Sequence, residues 1–260
     1  MAAGGLVVAG RGGPLRCSVI YAAWMKSELF EQTNLEIPDG QRFGLQNNQM
    51  LRVSLGPDVL AVKGAMVAFQ GQVRFDHEKA GSVGKMLKKM VTSEDMPLMR
   101  VSGQGEVFFA SEAGYVYLLH LDGDGISVNG RNLLAFDASL QWDINRVKGA
   151  GIMAGGLFNT TVQGSGDVAL CTVGKPVILD CSQQPTYVDT QAVVAWSANL
   201  VPQVVSSMNM KSMLRGGSGE AMQFSFHGPG FVVVQPSEWA PVTQQSGGSG
   251  GGIVGNLLGS

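Results

Sequence analysis

A short pattern that occurs three times constrains the fold of this chain more than any other feature. Each copy has an apolar tetrapeptide, a longer connection, and then Gly-x-Gly followed by an acidic residue. The tetrapeptides occupy 59–62, 133–136 and 193–196, and the glycine patterns are Gly103-Gln104-Gly105-Glu106, Gly164-Ser165-Gly166-Asp167 and Gly217-Ser218-Gly219-Glu220. Self-similarity at a spacing of about 50 to 75 residues indicates one supersecondary unit used three times, because a unit of that size cannot bury its apolar face alone.

Short β-branched and aromatic segments, bounded by turn residues, predict strands along most of the chain. They include 107–110, 115–121, 168–173 and 231–234, and further glycine turns are expected at Gly114, Gly174 and Gly228. This order predicts a hairpin of antiparallel strands in each unit. The stretch 122–125 (DGDG) predicts one more tight turn, because Asp-Gly favours the positive φ that hairpin turns require.

Composition favours one all-β domain over 25–240. The chain has 260 residues, of which 45% are apolar and 15% charged, so it can bury a sizeable core. Its 37 glycines suit many short strands better than long helices. We place the three repeats at roughly 51–121, 126–180 and 186–235, as β-sandwich units of the double-stranded β-helix type related by a pseudo-threefold axis.

The two ends of the chain differ from the body in composition. Residues 1–24 are glycine-rich, and Met25 begins a conventional polar start, so we hypothesise that 1–24 are disordered or a misassigned extension. Residues 241–260 form a Gly/Ser-rich tail that is flexible by composition. No apolar run approaches the length of a membrane-spanning helix, and together with the low cysteine content this predicts a cytoplasmic protein, with peripheral membrane contact as an extension of that prediction.

The connection in the first unit carries the one helical pattern, a short helix over 82–91 with lysines on its polar face. The corresponding connections, 148–158 and 204–214, are also apolar and contain methionine. A pseudo-threefold axis would bring all three to the same end of the body. We predict that this apolar loop-bearing end contains Met86, Leu87, Met90, Ile152, Met153, Leu157, Met208, Met210, Met213 and Leu214. Two interpretations stay open: an exposed interaction surface, or a plug that closes the β body.

The repeated pattern resembles a known family. The stretch 133–143 (LLAFDASLQWD), with the glycine patterns at 103–107 and 164–168, is similar to the "altered inheritance of mitochondria" family, number twenty-four, formerly a domain of unknown function. The resemblance covers roughly 25–239. It implies a fold like that of the tryptophan RNA-binding attenuator protein, with three β-sandwich repeats. It also implies an unsettled role for bacterial members and a link to mitochondrial inner-membrane organisation for fungal ones.

The sequence contains no convincing catalytic or metal-binding pattern, so no catalytic residue, cofactor or metal ligand is assigned. The three histidines, His77, His120 and His227, have no partner at metal-ligand spacing. A strand position predicts that His120 is a surface or hydrogen-bonded histidine. Cys171 and Cys181 lie in apolar segments and are predicted to be small core residues. Three acids, Glu106, Asp167 and Glu220, are interpreted as turn or backbone hydrogen-bonding residues, with a shared metal site as the alternative.

Three classes of function remain. The first is a non-enzymatic structural or interaction protein that assembles with itself, a protein partner or a membrane surface through the apolar loop-bearing end. The second is an RNA-binding module. Its electrostatic support is the local set Lys79, Lys85, Lys88 and Lys89, because eighteen basic and twenty acidic residues give a formal charge of -2 and make nucleic-acid binding unfavourable overall. The third is a small-ligand-binding β-sandwich protein. We predict the first.

Overall fold

The computed structural model describes residues 27–31, 34–37, 40–78, 98–146, 158–205 and 223–238. The chain divides into an N-terminal unit, Met1–Pro38, and a main unit, Asp39–Ser260. The described part of the N-terminal unit contains a 3-10 helix, Glu28–Phe30, whose cap Ser27 accepts a hydrogen bond from the Leu29 N–H at 3.2 Å. No helix in the described ranges is long and apolar enough to cross a membrane.

The main unit is all-β, as the sequence predicts, and its described strand pairs are antiparallel. The strands are β1 (Phe43–Asn47), β2 (Met50–Leu55), β3 (Val59–Val62), β4 (Met66–His77), β5 (Leu98–Phe109), β6 (Tyr115–Asn129), β7 (Leu133–Asp137), β8 (Gln141–Arg146), β9 (Phe158–Thr172), β10 (Val177–Asp180), β11 (Thr186–Asp189), β12 (Val193–Ser197), β13 (Gln203–Val205), β14 (Gln223–Phe226) and β15 (Phe231–Val234). The predicted strands at 107–110, 115–121, 168–173 and 231–234 lie within β5, β6, β9 and β15, apart from one terminal residue each in the first and third.

The strands form three groups, each with a central strand or a pair of shorter central strands that is flanked on both edges. In the first group, β5 pairs with β2 and β3 on one edge and with β4 on the other. In the second, β9 pairs with β6 on one edge and with β7 and β8 on the other. In the third, β15 lies between β10 and β12, while β14 lies between β11 and β13.

Two strand pairs join the groups. Strand β3 of the first group pairs with β7 of the second, and β6 of the second pairs with β12 of the third. Twelve strands therefore share one sheet, while β11, β13 and β14 form a second sheet of three strands. A buried cluster lies in each group, around Phe109, Phe136 and Trp196, which are 0%, 0% and 3% exposed. The burial of these large apolar side chains is the main stabilising contribution.

Pairs of glycines with positive φ occur in all three strand groups. Gly103 and Gly105 within β5, and Gly164 and Gly166 within β9, have φ between 113° and 158°. In the third group the same conformation occurs at Gly228 and Gly230, with φ of 125° and 150°. The predicted third copy, Gly217-Ser218-Gly219, lies outside the described residues. The glycines bend long strands or separate β14 from β15, because only glycine adopts this φ without strain.

Strand irregularities also change the alignment of the first unit. A register shift occurs in β7 between Leu133 and Ala135, and in β12 between Val193 and Ala195. The corresponding shift of the first group lies in β4, between Met66 and Ala68. The tetrapeptide 59–62, which the sequence pattern aligns with 133–136, is instead β3, the strand that pairs with β7.

The predicted turn at 122–125 is wrong. These residues lie inside β6, which continues to Asn129. The register between β6 and β9 shifts between Asp122 and Gly125, and Gly123 has φ of 81°. The Asp-Gly pair supplies the expected positive φ, but it makes a bulge in a continuous strand because β9 continues alongside both halves of β6.

Several expectations fall on residues that the structure does not describe. The short helix at 82–91, the N-terminal segment 1–24 and the tail beyond residue 238 are among them. These expectations, the pseudo-threefold axis and the repeat boundaries stay predictions.

Cys171 and Cys181 are buried free cysteines, as predicted. The side chain of Cys171 is 6% exposed and that of Cys181 is 0% exposed. Burial raises the pKa of the Cys171 thiol, because the thiolate would lose hydration there.

We expect both buried cysteines to resist alkylation in the folded protein. In a Cys17→Ser variant, iodoacetamide at mildly alkaline pH should label each thiol at least about tenfold more slowly than after unfolding in urea, because only an accessible thiolate is reactive. Mass spectrometry of time points measures both rates. Equal rates with and without urea would contradict the burial of these thiols.

Candidate functional site

The ten residues predicted at the apolar loop-bearing end lie outside the described residues. They are Met86, Leu87, Met90, Ile152, Met153, Leu157, Met208, Met210, Met213 and Leu214. Their clustering stays a prediction. The same holds for the lysines that support the RNA-binding alternative, Lys79, Lys85, Lys88 and Lys89.

The structure does describe the strand ends from which the three connections leave. They join the antiparallel pairs β4 and β5, β8 and β9, and β13 and β14. The paired residues next to the connections are His77 with Met99, Arg146 with Phe158, and Val205 with Gln223. In each case a positive-φ glycine follows the first residue of the second strand by five or six positions, at Gly103, Gly164 and Gly228. The three connections therefore leave from corresponding places in their strand groups.

A polar network on β6, β7 and β9 is the main cluster of titratable groups at a surface hollow. His120 faces Asp167 across β6 and β9, and its Nδ1 lies 2.8 Å from a carboxylate oxygen of Asp167. The His120 side chain is 67% exposed, which agrees with the predicted hydrogen-bonded surface histidine. A polar contact this exposed adds little to stability, because water competes for both groups.

Asp137 forms the buried side of this network. Its carboxylate forms an ion pair with Arg42 and accepts the backbone N–H of Asp167 at 2.8 Å. Arg42 also donates to the carbonyl oxygens of Pro57 and Asp58, at 2.9 and 3.2 Å. Burial lowers the pKa of the Arg42 guanidinium, an effect that the nearby Asp167 carboxylate opposes. Asp137 thus ties β7 to β9 and to the segment before β1.

Two hollows meet at His120. The larger has a volume of about 680 Å³ and includes Gln163, Ser197 and Phe231 in its lining, while the smaller, of about 450 Å³, includes Arg42. The Ser197 hydroxyl accepts the Phe231 N–H at 3.0 Å, and Arg42 is held by Asp137 and two carbonyl groups. These polar groups therefore connect strands, and the arrangement is that of a structural network with an accessible histidine.

Two of the three acids singled out in the sequence, Glu106 and Asp167, have different partners in the described part of the chain. Glu106 accepts hydrogen bonds from the Ser54 hydroxyl at 2.7 and 2.9 Å, and its carboxylate lies 3.5 Å from Arg52. Asp167 pairs with His120 instead, and Glu220 lies outside the described residues. Within the described ranges, no group of three His, Cys, Asp or Glu side chains could hold a metal ion. Glu106 and Asp167 lie inside β5 and β9 and not in turns, and their carboxylates contact Ser54 and His120 across the strand pairs.

Sequence reasoning missed two features of the surface. The first is the ion pair between Arg42 and Asp137, for which no local pattern gives a signal because 95 positions separate the residues. The second is a pair of exposed aromatic side chains on strands, Phe69 on β4 and Tyr187 on β11, which are 46% and 58% exposed. An apolar residue in a strand pattern predicts burial, so the sequence alone gives no reason to expect them at the surface.

Comparison with known proteins gives a family and a fold. The profile of the family described as mitochondrial biogenesis AIM24 matches residues 43–237. A protein of Streptococcus pyogenes, known from an X-ray crystal structure, matches with 24% sequence identity and a TM-score of 0.60. The match covers 75% of this chain and 92% of the streptococcal chain, and at this identity it shows a shared fold. No curated protein matches.

Proposed function

Because this chain belongs to the mitochondrial biogenesis AIM24 family, we propose that it is a non-enzymatic structural or interaction protein that assembles through its apolar loop-bearing end. The family membership confirms the resemblance inferred from the repeated pattern. The family membership supports a non-enzymatic role in general terms. The surface that mediates assembly and the mode of assembly are our proposal.

The observation that carries the proposal is the local correspondence between the three strand groups. Each has a register shift at the start of a strand, at Met66, Leu133 and Val193, and each has a bend at two positive-φ glycines. Each central strand or strand pair is flanked on both edges in the same order. These correspondences support three β-sandwich repeats around a pseudo-threefold axis, with the connections 79–97, 147–157 and 206–222 leaving at one end.

The composition of those connections supports an interaction surface. They contain Met86, Met90, Met153, Met208, Met210 and Met213, together with several leucines and few acidic residues. Methionine side chains are flexible and polarisable, so they suit contacts with partners or lipids of varied shape. Contiguous apolar surface of this kind marks interaction sites in proteins.

The surface around the two hollows at His120 supports the proposal less directly. Its carboxylates and its arginine form bonds between strands, namely Asp137 with Arg42 and Asp167 with His120. The partly buried ion pair of Asp137 with Arg42 links β7 to the segment before β1, while the exposed contact of Asp167 with His120 adds little to stability. They leave assembly as the function that the geometry supports best.

We expect Met→Ser changes at Met86, Met90, Met153 and Met210 to weaken self-association or vesicle binding without unfolding the strands. The physical reason is that each change replaces an apolar side chain with a hydroxyl group, which water solvates well. Light scattering measures association, pelleting with anionic phospholipid vesicles measures membrane binding, and far-UV circular dichroism checks the strands.

The matched control replaces the same four methionines with leucine, which keeps apolar area. This control should behave like the unchanged protein. Scattering and pelleting that the serine variant leaves unaltered would show that the loop-bearing end does not mediate assembly. An equal loss in the leucine variant would point to methionine-specific shape instead of apolar contact.

A further inference from the structure

The two strand pairs that join the groups end in the same hydrogen bond. At the first junction, between the first and second groups, the Ala138 N–H donates to the Asp58 carbonyl oxygen at 3.2 Å. At the second junction, between the second and third groups, the Ala198 N–H donates to the Gly125 carbonyl oxygen at 3.2 Å. Each bond adjoins the last residue pair of the joining strands, which is Val59 with Asp137 and Ile126 with Ser197. Asp58 and Gly125 therefore occupy corresponding positions.

A second pair of hydrogen bonds also corresponds between the two junctions. The Asp137 carboxylate accepts the Asp167 N–H at 2.8 Å, and the Ser197 hydroxyl accepts the Phe231 N–H at 3.0 Å. Asp167 and Phe231 each directly follow the second positive-φ glycine of their strand group. Ser197 therefore has the place of Asp137, but without its negative charge.

The guanidinium group of Arg42 occupies the first junction. It forms an ion pair with Asp137 and donates to the carbonyl oxygens of Pro57 and Asp58, at 2.9 and 3.2 Å. Its central carbon lies 5.2 Å from the centroid of the Phe43 ring, within the range of a cation–π contact. A carboxylate, two carbonyl oxygens and an aromatic ring therefore surround the cation at this junction.

The second junction has an open hollow in the corresponding place. It is the larger of the two hollows at His120, with a volume of about 680 Å³, which is in the range of small-molecule sites. Three of its lining residues correspond to the three that bind Arg42, and they are Asp124, Gly125 and Ser197. The described lining contains no arginine or lysine, and its histidine, His120, is paired with the Asp167 carboxylate.

The lining of this hollow favours a cation with several N–H groups. Asp124 supplies the carboxylate that Ser197 lacks, so a negative charge is present at both junctions. The Asn199 amide nitrogen donates to a backbone carbonyl oxygen at 2.7 Å, which leaves the amide oxygen as an acceptor. Phe231 adds an aromatic ring to the lining. A guanidinium group suits such a lining, because it has five N–H donors in a plane and stacks on aromatic rings.

We propose that this hollow binds the guanidinium group of a ligand that is not part of this chain, either free arginine or an arginine side chain of a peptide. The ligand has the place at the second junction that Arg42 has at the first, with the Asp124 carboxylate as its charge partner. The Gly125 carbonyl oxygen accepts a second hydrogen bond from it, as the Asp58 oxygen does from Arg42. The inference goes beyond the proposed function, since it concerns a different surface and needs none of the apolar connections.

The test titrates the full chain with L-arginine amide and follows the backbone amide signals of Ala198 and Asn199 by NMR. L-Citrulline amide, which has the same shape without the charge, should bind at least about tenfold more weakly, because it cannot form charge-assisted hydrogen bonds. L-Lysine amide should also bind more weakly than L-arginine amide, since an ammonium group lacks the planar arrangement of donors. Equal binding of the arginine and citrulline amides would overturn the proposal. A short glycine peptide with one central arginine distinguishes the sources: its binding supports a peptide ligand, and binding of the amide alone supports free arginine.

An Asp124→Asn variant should bind L-arginine amide at least about tenfold more weakly, because it keeps the shape of the hollow and removes the charge partner. Asp124 is exposed, so the variant should fold like the unchanged protein, which far-UV circular dichroism checks. The matched control Asp122→Asn removes the same charge from an exposed residue of the same bulge that is not part of the lining. This control should bind like the unchanged protein. Equal losses in the two variants would show general attraction to negative charge and would overturn the site.

A last variant tests whether the chain fills the hollow itself. Three arginines lie outside the described ranges, and they are Arg11, Arg16 and Arg215. Binding of L-arginine amide to the unchanged protein supports a ligand from outside the chain. Binding that occurs only after all three are changed to glutamine would show that an arginine of the chain is the occupant, and would overturn the proposal. So would the absence of binding in both forms.

Discussion

Replacing Phe136 with alanine should lower the free energy of unfolding by about 3 to 5 kcal/mol, the range for removing a large aromatic side chain from a packed core. Phe136 is 0% exposed and belongs to the buried cluster of the second strand group. Its ring lies edge-on to Trp142, with 6.4 Å between the ring centroids. The alanine variant leaves a cavity that β3 and β9 cannot close without moving their own side chains. Urea unfolding followed by tryptophan fluorescence measures the loss.

The matched control is Phe69→Ala. Phe69 has the same place in β4, next to the register shift, and its ring makes an edge contact with Phe75 at 5.4 Å. Because Phe69 is 46% exposed, we expect a loss of only about 1 kcal/mol at low protein concentration. Similar losses for the two variants would contradict the different burial of these two strands.

The all-β architecture and the family could be predicted from sequence, because strand and turn signals are local. The segments around Val107, Val168 and Val232 have β-branched or aromatic residues next to glycine, and all three are central strands. The acids Glu106 and Asp167 were interpreted as turn or backbone hydrogen-bonding residues, whereas both lie within strand pairs and contact side chains of the neighbouring strands.

The sequence could not show which strand of the first unit corresponds to β7, because two consecutive strands of that unit have nearly the same residue pattern. Segment 59–62 (VLAV) and segment 66–69 (MVAF) are both apolar with alanine at the third position. Only the register shift at Met66 and Ala68 identifies β4 as the strand that corresponds to β7. Strand pairing depends on residues distant in the chain, so a local pattern cannot choose between the two.

The third glycine pattern of the sequence lies outside the described residues and stays a prediction, while a different pair of glycines has the matching conformation. Gly217-Ser218-Gly219-Glu220 matches the first two copies in its letters, including the acid, whereas Gly228-Pro229-Gly230-Phe231 matches them in backbone conformation. The acid is dispensable because the cross-strand partner also changes: Glu106 faces Ser54 and Asp167 faces His120, while Phe231 faces Asp180. The backbone conformation requires the glycines, whereas the type of the residue after them depends on the residue opposite it on the neighbouring strand.

A Gly105→Ala variant should lose at least about 3 kcal/mol of the free energy of unfolding, or fail to fold, because two costs act together. Gly105 has φ of 145°, a conformation that alanine rarely adopts. A Cβ there would lie 1.9 Å from the Gln70 carbonyl oxygen and 3.1 Å from the Gly71 Cα, both in the backbone of β4. Neither atom can move aside without separating β4 from β5, which run together from Met66 to His77.

The control Gly123→Ala separates the two costs. Gly123 has φ of 81°, but nothing lies within 4 Å of a Cβ built there, so this variant bears the conformational cost alone. We expect a loss of about 1 to 2 kcal/mol, measured by urea unfolding. Equal losses for the two variants would mean that φ alone requires glycine at residue 105. A larger loss for Gly105→Ala means that the close approach of the β4 backbone also requires glycine at residue 105.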